Sequence, residues 1–223
     1  MDSVLTAYKP RPKQIYIARE GHPFIAIALA GAALLFVLGL HWAALFALGV
    51  AGFIAFFFRN PDREIPEGEG LIVAPADGRV ISVNRNCKAP HSGNEMTRVS
   101  IFMSVLNVHI NRFPVSAVVK DLAYHAGNFL VASLDKASEK NERNVLVLLG
   151  VDGRDYEMVQ IAGLIARRIV CYLKTGDRLD RGRRFGLIRF GSRVDLYLPS
   201  EAGVEVQVGD CVSAGSSIIG RYS

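Results

Sequence analysis

Ser192, His109 and Asp77 are of the residue types that carry nucleophilic and acid–base chemistry, and each lies in a short motif between apolar runs. A serine hydroxyl becomes a nucleophile when a nearby base takes its proton, and histidine can do this near neutral pH. Ser192 follows Gly191 between two apolar, strand-like runs. Because glycine has no side chain to obstruct an attack and tolerates strained backbone, the Gly191-Ser192 bond is a plausible place for chemistry on the chain itself.

His109 and Asp77 lie in short polar motifs between apolar runs. His109 belongs to Asn107-Val108-His109-Ile110-Asn111-Arg112, where strand alternation predicts that Asn107, His109 and Asn111 share one face. Asp77 belongs to Pro75-Ala76-Asp77-Gly78, and its residue type is equally typical of a turn that caps its own backbone.

Taken together, these motifs resemble the phosphatidylserine decarboxylase family in its short form. The resemblance implies that the chain cuts itself between Gly191 and Ser192 and converts Ser192 into a pyruvoyl group, a covalent cofactor. It implies that His109 is the base and that Asp77 orients it, which completes an Asp77–His109–Ser192 relay. It further implies that the fragments 1–191 and 192–223 remain together as a heterodimer.

Other blocks extend the resemblance over residues 55–198. They are Tyr124–Leu130, where the family usually has proline in place of Ala126, Asn141–Asn144 and Gln160–Ile169. Basic residues within or near them are candidates for binding the phosphate or carboxylate of an anionic phospholipid: Arg112, His125, Arg143, Arg167 and Arg168. The cleavage motif is Phe-Gly-Ser-Arg instead of the Leu-Gly-Ser-Thr of the long bacterial form.

One segment accounts for much of the apolar character of this chain, half of whose 223 residues are hydrophobic. Residues 24–58 contain no Asp, Glu, Lys or Arg. A single helix of that length would measure roughly 52 Å, too long for a hydrocarbon core of about 30 Å. A break near Gly39-Leu40-His41-Trp42 instead predicts two membrane-associated helices, arranged as a tight hairpin or as a shallow re-entrant insertion. Basic residues on both flanks, among them Arg19 and Arg59, predict that both ends stay on the cytoplasmic face of the cell membrane.

The composition also bounds the partners. A net charge of +5 favours contact with an anionic lipid surface or headgroup. The sequence lacks the blocks of basic residues with interleaved aromatic residues that are typical of nucleic-acid binding. The three cysteines have no metal-site spacing, so no metal is expected. Four regions follow: a basic lead (1–20), the helical hairpin (21–58), a linker (59–70) and the decarboxylase domain (71–223).

The last of these regions is predicted to be mainly β, in an α+β fold. Strands are expected over Arg98–Met103, Val115–Val119, Asn144–Leu149, Glu157–Ile161, Ile169–Leu173, Phe185–Phe190 and Val194–Leu198, with one helix over Phe129–Lys140. A repeated pattern, Gly-Asp-x-apolar-x-x-Gly, occurs at Gly176–Gly182 and again at Gly209–Gly215. This repeat resembles the barrel-sandwich architecture of lipoyl and biotin carrier domains.

Two alternatives to the main interpretation remain open. One is a decarboxylase of another serine-headed lipid, such as archaetidylserine with its ether-linked chains. The other is a non-enzymatic, membrane-tethered barrel-sandwich adaptor, which would keep its chain intact and tolerate substitution of Ser192. A carrier domain is disfavoured because no convincing modifiable lysine lies at a hairpin tip.

Overall fold

The structure is a computed structural model that describes residues 16–128, 141–163, 168–189 and 191–222. The chain divides into two compact units, Met1–Asp62 and Arg63–Ser223. The predicted helix over Phe129–Lys140 lies outside the described residues, as does Arg167.

The first unit is a helical hairpin. A 3-10 turn at Arg19–Gly21 leads into α1 (His22–Val37), and α2 follows at His41–Phe57. Between the helices Gly39 adopts φ +76°, and the Leu40 amide donates to the Leu35 carbonyl, which is how a glycine-capped helix usually ends. At the base, the Ala18 amide donates to Phe58 and the Asn60 amide donates to Tyr16. The predicted break near Gly39 is confirmed.

Both helices are apolar on nearly every side. Small residues, Ala32, Ala44 and Ala51, are buried where the two helices pack, whereas large side chains such as Phe46 and Trp42 are exposed. Arg19–Val37 is long and apolar enough to cross a membrane, and α2 is 17 residues long. A helix that exposes apolar side chains all round needs an apolar environment.

The second unit is built from strands, as predicted. Its described residues form fourteen strands: β1 (Leu71–Val73), β2 (Gly78–Lys88), β3 (Glu95–Met103), β4 (Ile110–Arg112), β5 (Ala117–His125), β6 (Arg143–Gly150), β7 (Asp155–Ala162), β8 (Ile169–Cys171), β9 (Arg178–Leu179), β10 (Arg184–Ile188), β11 (Ser192–Pro199), β12 (Gly203–Val204), β13 (Cys211–Val212) and β14 (Ile218–Arg221). The seven strands predicted from the sequence correspond to β3, β5, β6, β7, β8, β10 and β11, with boundaries that differ by a few residues.

These strands form three antiparallel sheets. The large sheet has the order β13-β2-β3-β11-β7-β6-β5-β9, and two small sheets have the orders β1-β14-β12 and β4-β10-β8. Alternate residues of β11, among them Val194, Leu196 and Leu198, join the main hydrophobic core together with Phe113 and Phe185. The core therefore lies on one face of the large sheet.

The repeat seen in the sequence is a pseudo-twofold repeat of this whole unit. In the small sheets, β1, β14 and β12 correspond to β4, β10 and β8. In the large sheet, β13, β2, β3 and β11 correspond to β9, β5, β6 and β7, counted inward from the opposite edge. The amide of Val73 donates to Pro114, and the amide of Arg112 donates to Pro75, both at 2.9 Å. These reciprocal bonds relate residues 39 positions apart.

The two Gly-Asp turns repeat the same contacts. Val80 donates to the Asp210 carbonyl as Val119 donates to the Asp177 carbonyl, each at 2.9 Å. Each aspartate side chain also accepts from the backbone amide three residues before it, from Gln207 at 2.8 Å and from Lys174 at 2.9 Å. The predicted barrel-sandwich repeat is thus present, and it gives the site below an internal point of comparison.

Candidate functional site

Ser192 begins β11 in the middle of the large sheet. It pairs with Met103 of β3 on one side and with Ala162 of β7 on the other. The residue is fully buried, and among the described residues its Oγ has no hydrogen-bond partner. A buried hydroxyl without a partner costs stability, commonly about 1–3 kcal/mol, so its presence calls for a reason other than folding.

Gly191 adopts the left-handed backbone conformation, with φ +61°. A side-chain carbon added there would meet nothing within 4 Å. The glycine is therefore required by its backbone conformation and not by lack of room. This agrees with the expectation that residue 191 must tolerate strain next to the serine.

Strand β4 lies against the row of residues that contains Ser192. Asn111 of β4 contacts the Met103 sulfur through its amide nitrogen at 3.7 Å, and it accepts a hydrogen bond from Gln160 at 2.8 Å. Met103 pairs with Ser192, and Gln160 pairs with Val194, two residues further along β11. Asn111 thus packs over the beginning of β11.

His109 precedes β4 by one residue and is almost completely buried, at 2% exposure. Its carbonyl accepts from the Ile188 amide at 3.3 Å, at the end of the strand that leads to Gly191. Its Nδ1 lies 3.0 Å from the carbonyl oxygen of Asn107. If Nδ1 carries the ring proton, it donates to that carbonyl, and Nε2 keeps the lone pair that a base needs.

The predicted position of Asn107 on the His109 face is wrong. Residues 104–107 form a turn before β4, in which the Asn107 side chain accepts from the amide of Ser104 at 2.9 Å and from its hydroxyl at 2.7 Å. Strand alternation does not extend through a turn, so the argument from alternation does not apply to Asn107. The contribution of Asn107 to the histidine is its backbone carbonyl.

Asp77 lies at the entrance to β2 and is buried to 8% exposure. Its Oδ1 accepts from the Ala214 amide at 2.8 Å, and its Oδ2 pairs with Arg63 Nη2 at 2.6 Å. The amide that Asp77 caps belongs to Ala214, a residue distant in sequence, so this contact is not the local turn cap that the motif suggested. The Asp77–His109–Ser192 relay stays a prediction.

The five basic candidates fall into different places. Arg112 is buried and donates to the Gly182 carbonyl at 2.9 Å, which ties it to the fold. His125 and Arg143 pair directly across β5 and β6, with His125 exposed and Arg143 half-buried. Arg168 is exposed, and Arg167 is outside the described residues.

His125, Arg143 and Arg168 belong to one rim of the sheet. The pKa of the Tyr124 hydroxyl is raised, first by burial and then by a hydrogen bond to Glu142, whereas the charge of Arg168 lowers it. Tyr124, Glu142 and Arg168 therefore lie close together. The Glu142 carbonyl accepts from the Ala162 amide at 2.9 Å, and Ala162 pairs with Ser192. Arg143 itself pairs with Ile161, which pairs with Arg193, so the His125 and Arg143 side chains lie on the sheet face opposite that of Ser192.

Several buried polar residues of the site were not assigned from the sequence. Asn144 donates to Gln160 at 3.0 Å, which continues the chain of amides that begins at Asn111, and Asn141 donates to the Ala162 carbonyl at 2.7 Å. All four amide residues are buried. An Asn or Gln in an otherwise apolar strand was the available signal, since such a group is buried only with partners.

Comparison of the two pseudo-symmetric halves shows at which positions of the fold the residues of the site are replaced by apolar ones. In the other half, the positions equivalent to His109, Asn111 and Arg112 are Gly70, Ile72 and Val73. At these three positions the half with His109 has polar side chains, and the other half has none. The described residues contain no group of three metal-ligating side chains.

Comparison with known proteins identifies the family of this chain. Residues 50–220 match the family model described as phosphatidylserine decarboxylase. Three relatives are each named phosphatidylserine decarboxylase proenzyme. That of Geobacter metallireducens is 51% identical and covers 92% of this chain and 95% of its own. That of Nitrosomonas europaea is 49% identical, at 97% and 99% coverage, and that of Syntrophus aciditrophicus is 48% identical, at 93% and 98%. The chain belongs to the phosphatidylserine decarboxylase family.

Proposed function

We propose that this protein decarboxylates phosphatidylserine to phosphatidylethanolamine, with release of carbon dioxide, after it has cut its own backbone between Gly191 and Ser192. The observation that carries the proposal is the buried Ser192 hydroxyl, which lacks a hydrogen-bond partner among the described residues and follows a left-handed glycine. The names of the relatives favour this enzyme over a non-enzymatic adaptor.

The cut begins with attack of Ser192 Oγ on the carbonyl carbon of Gly191, while His109 takes the hydroxyl proton. The bond between that carbon and the Ser192 nitrogen breaks, and an ester replaces the amide. Removal of the Ser192 α-proton then expels the Gly191 carboxylate and leaves dehydroalanine. One water enters and one ammonia leaves, which gives the ketone of a pyruvoyl group at the new amino terminus.

The residues present suit that group. Conversion of Ser192 removes the hydroxyl that has no partner among the described residues, and a ketone requires no donor to replace it. A pyruvoyl ketone supplies an electron sink for the loss of a carboxylate from a substrate amine. In this proposal His109 holds the proton that the product carbon requires, and Arg168 supplies a donor for the substrate phosphate or carboxylate.

The sheet order supports the expectation that the two fragments stay together. The small fragment contains β11, which lies between β3 and β7, and also β14, which lies between β1 and β12. Both strands are therefore paired on both sides with the large fragment or with their own neighbours. Separation would require breaking the centre of the large sheet.

We propose further that α1 and α2 attach the protein to the cell membrane from its cytoplasmic face. The helices measure about 24 and 26 Å, slightly less than a hydrocarbon core of about 30 Å. Their exposed apolar side chains and the basic flanks support this placement. A lipid substrate keeps its acyl chains in the bilayer while its headgroup reaches the site.

Intact-mass measurement of the purified protein tests the proposal. We expect two fragments, 1–191 and 192–223, with the smaller lighter by one ammonia than a peptide that begins with serine. Ser192→Ala should remain uncut and inactive, and His109→Ala should be cut poorly, whereas Ser200→Ala, in the exposed turn that follows β11, should mature normally. Full activity from an uncut chain would refute the proposal. Assays on diacyl and ether-linked serine lipids decide between the two lipid substrates.

A further inference from the structure

We infer that Arg63 is a positioning residue for Asp77, and that the segment following the helical hairpin is thereby part of the machinery that matures the enzyme. The inference rests on the function proposed above. Arg63 Nη2 lies 2.6 Å from Asp77 Oδ2, a distance typical of a strong charge-assisted hydrogen bond. The two side chains are 24% and 11% exposed, so solvent screens the pair only in part.

The pseudo-twofold shows how much of Asp77 the fold itself uses. The position equivalent to Asp77 in the other half is Ser116, whose hydroxyl accepts from the Arg181 amide at 3.0 Å. Asp77 Oδ1 accepts from the equivalent amide, that of Ala214, at 2.8 Å. A neutral hydroxyl satisfies this turn in one half. The negative charge and the second oxygen of Asp77 therefore exceed what the turn requires, and that second oxygen is the one that Arg63 binds.

The segment that carries Arg63 is fixed along its length. The Ile65 side chain fills the space between Gly182 and Gly215, where an added side-chain carbon would lie 2.3 and 3.1 Å from Ile65 Cδ1. Further on, the Arg181 guanidinium donates to the carbonyls of Pro66, Gly68 and Leu71 at 2.6–3.1 Å. The predicted linker over 59–70 is thus bound to the second unit from Arg63 onward.

This attachment gives Arg63 a defined task. A carboxylate with one oxygen bound to a backbone amide still rotates about its side-chain bonds unless its other oxygen is also held. Arg63 holds that oxygen, and it also balances a charge that lies in a largely buried turn. Asp77 is then held in one orientation, which is what a residue that orients a catalytic base requires.

The test is the rate of self-cleavage, measured as the fraction of chain present as two fragments over time after a pulse of synthesis. We expect Arg63→Met to slow cleavage about tenfold or more, because a charge-assisted hydrogen bond to the carboxylate is lost. Arg63→Lys should recover part of the rate, and guanidinium ion added at non-denaturing concentration to purified, uncut Arg63→Met should accelerate its cleavage. The matched control is Arg154→Met, which removes another arginine–aspartate pair, with 3.4 Å between Arg154 Nη1 and Asp152 Oδ2, and should cleave normally.

A double-mutant comparison separates positioning from folding. In Asp77→Asn the turn keeps its acceptor, so adding Arg63→Met to it should slow cleavage little further. If Arg63→Met cleaves at the wild-type rate, or if neither lysine nor guanidinium restores the rate, the inference is wrong. Failure of the wild-type chain to cleave at Gly191-Ser192 would instead overturn the proposed function.

Discussion

The Arg193–Asp195 pair should be among the most costly places to remove a charge in the second unit. Both side chains have 0% exposure, and Arg193 Nε and Nη2 donate to Asp195 at 2.6 and 3.0 Å. Arg193 also donates to Ser100 at 2.9 Å. Burial opposes the charge of Arg98, but Asp195 is the largest influence that raises the pKa of this guanidinium. Asp195 is therefore the counter-charge for two arginines.

Removal of one partner leaves a buried charge uncompensated, which typically costs about 3–5 kcal/mol. For a chain of this size, each kcal/mol lowers the melting temperature by about 2–4 °C, so Asp195→Asn should melt roughly 6–20 °C lower. Replacement of both partners by apolar residues of similar volume, Arg193→Met with Asp195→Val, should cost less, because no charge of the fully buried pair remains and the Arg98 guanidinium, which also loses Asp195, is only partly buried.

The assay is thermal unfolding in detergent, followed by circular dichroism, with every variant made in the Ser192→Ala background so that each sample is one intact chain. Asp155→Asn is the control, since it breaks a pair with Lys120 whose two side chains are each 45% exposed. That control should change stability by no more than about 1 kcal/mol. A double variant as unstable as Asp195→Asn would refute the reasoning, as would an Asp195→Asn that melts together with its control.

Two further predictions follow from single positions. Gly78→Ala should destabilise the protein far more than Gly191→Ala, because the new side-chain carbon at residue 78 would lie 2.1 Å from the Phe102 carbonyl oxygen. Gly191→Ala has room for its side chain and loses only about 1–2 kcal/mol, the cost of a left-handed backbone at alanine. Similar melting temperatures for the two variants would contradict this prediction. In the native protein, Cys171 should be alkylated more slowly than the exposed Cys211 and should need a higher pH. Burial raises the pKa of the Cys171 thiol and so reduces the fraction present as the reactive thiolate. Equal labelling of the two cysteines at pH 8, measured by mass spectrometry, would contradict this prediction.

The strands that the sequence predicted are those with apolar residues on at least one face. β6 and β11 are examples, and their hydrophobic runs identify them without reference to the rest of the chain. β2 was not predicted, although it is the longest strand, because Gly78–Lys88 is rich in polar and charged residues and is largely exposed along its second half. Its pairing with β3 is set by tertiary contacts that no local pattern reveals.

The buried charges of β11 show a second limit of prediction. Strand alternation places Arg193, Asp195 and Tyr197 on the face opposite the main core, where charged residues are normally solvated. In the structure that face has a small core of its own, to which Ala89 and Met96 of the β2–β3 hairpin contribute. The burial of Arg193 and Asp195 depends on this second hydrophobic cluster, which the local sequence pattern of β11 does not indicate.

For the site, residue types were informative and contacts were not. The sequence singled out Ser192, His109 and Asp77 by motif, but the amide that Asp77 caps, that of Ala214, is distant in sequence and was not predicted. The contact between Arg63 and Asp77 was not predictable, because the two residues lie in segments that read as a linker and a turn. The pseudo-twofold was visible only at its two Gly-Asp turns, since the other equivalent pairs share conformation and little sequence.

The central position of β11 has a consequence for the working life of the enzyme. A prosthetic group that is held by non-covalent contacts can leave when damaged and be replaced from solution. Under the proposed self-cleavage, the reactive carbonyl would be the end of a strand that is hydrogen-bonded on both sides, and it could not be exchanged. Each molecule would therefore form its cofactor once, and a damaged molecule could be replaced only by synthesis of a new chain.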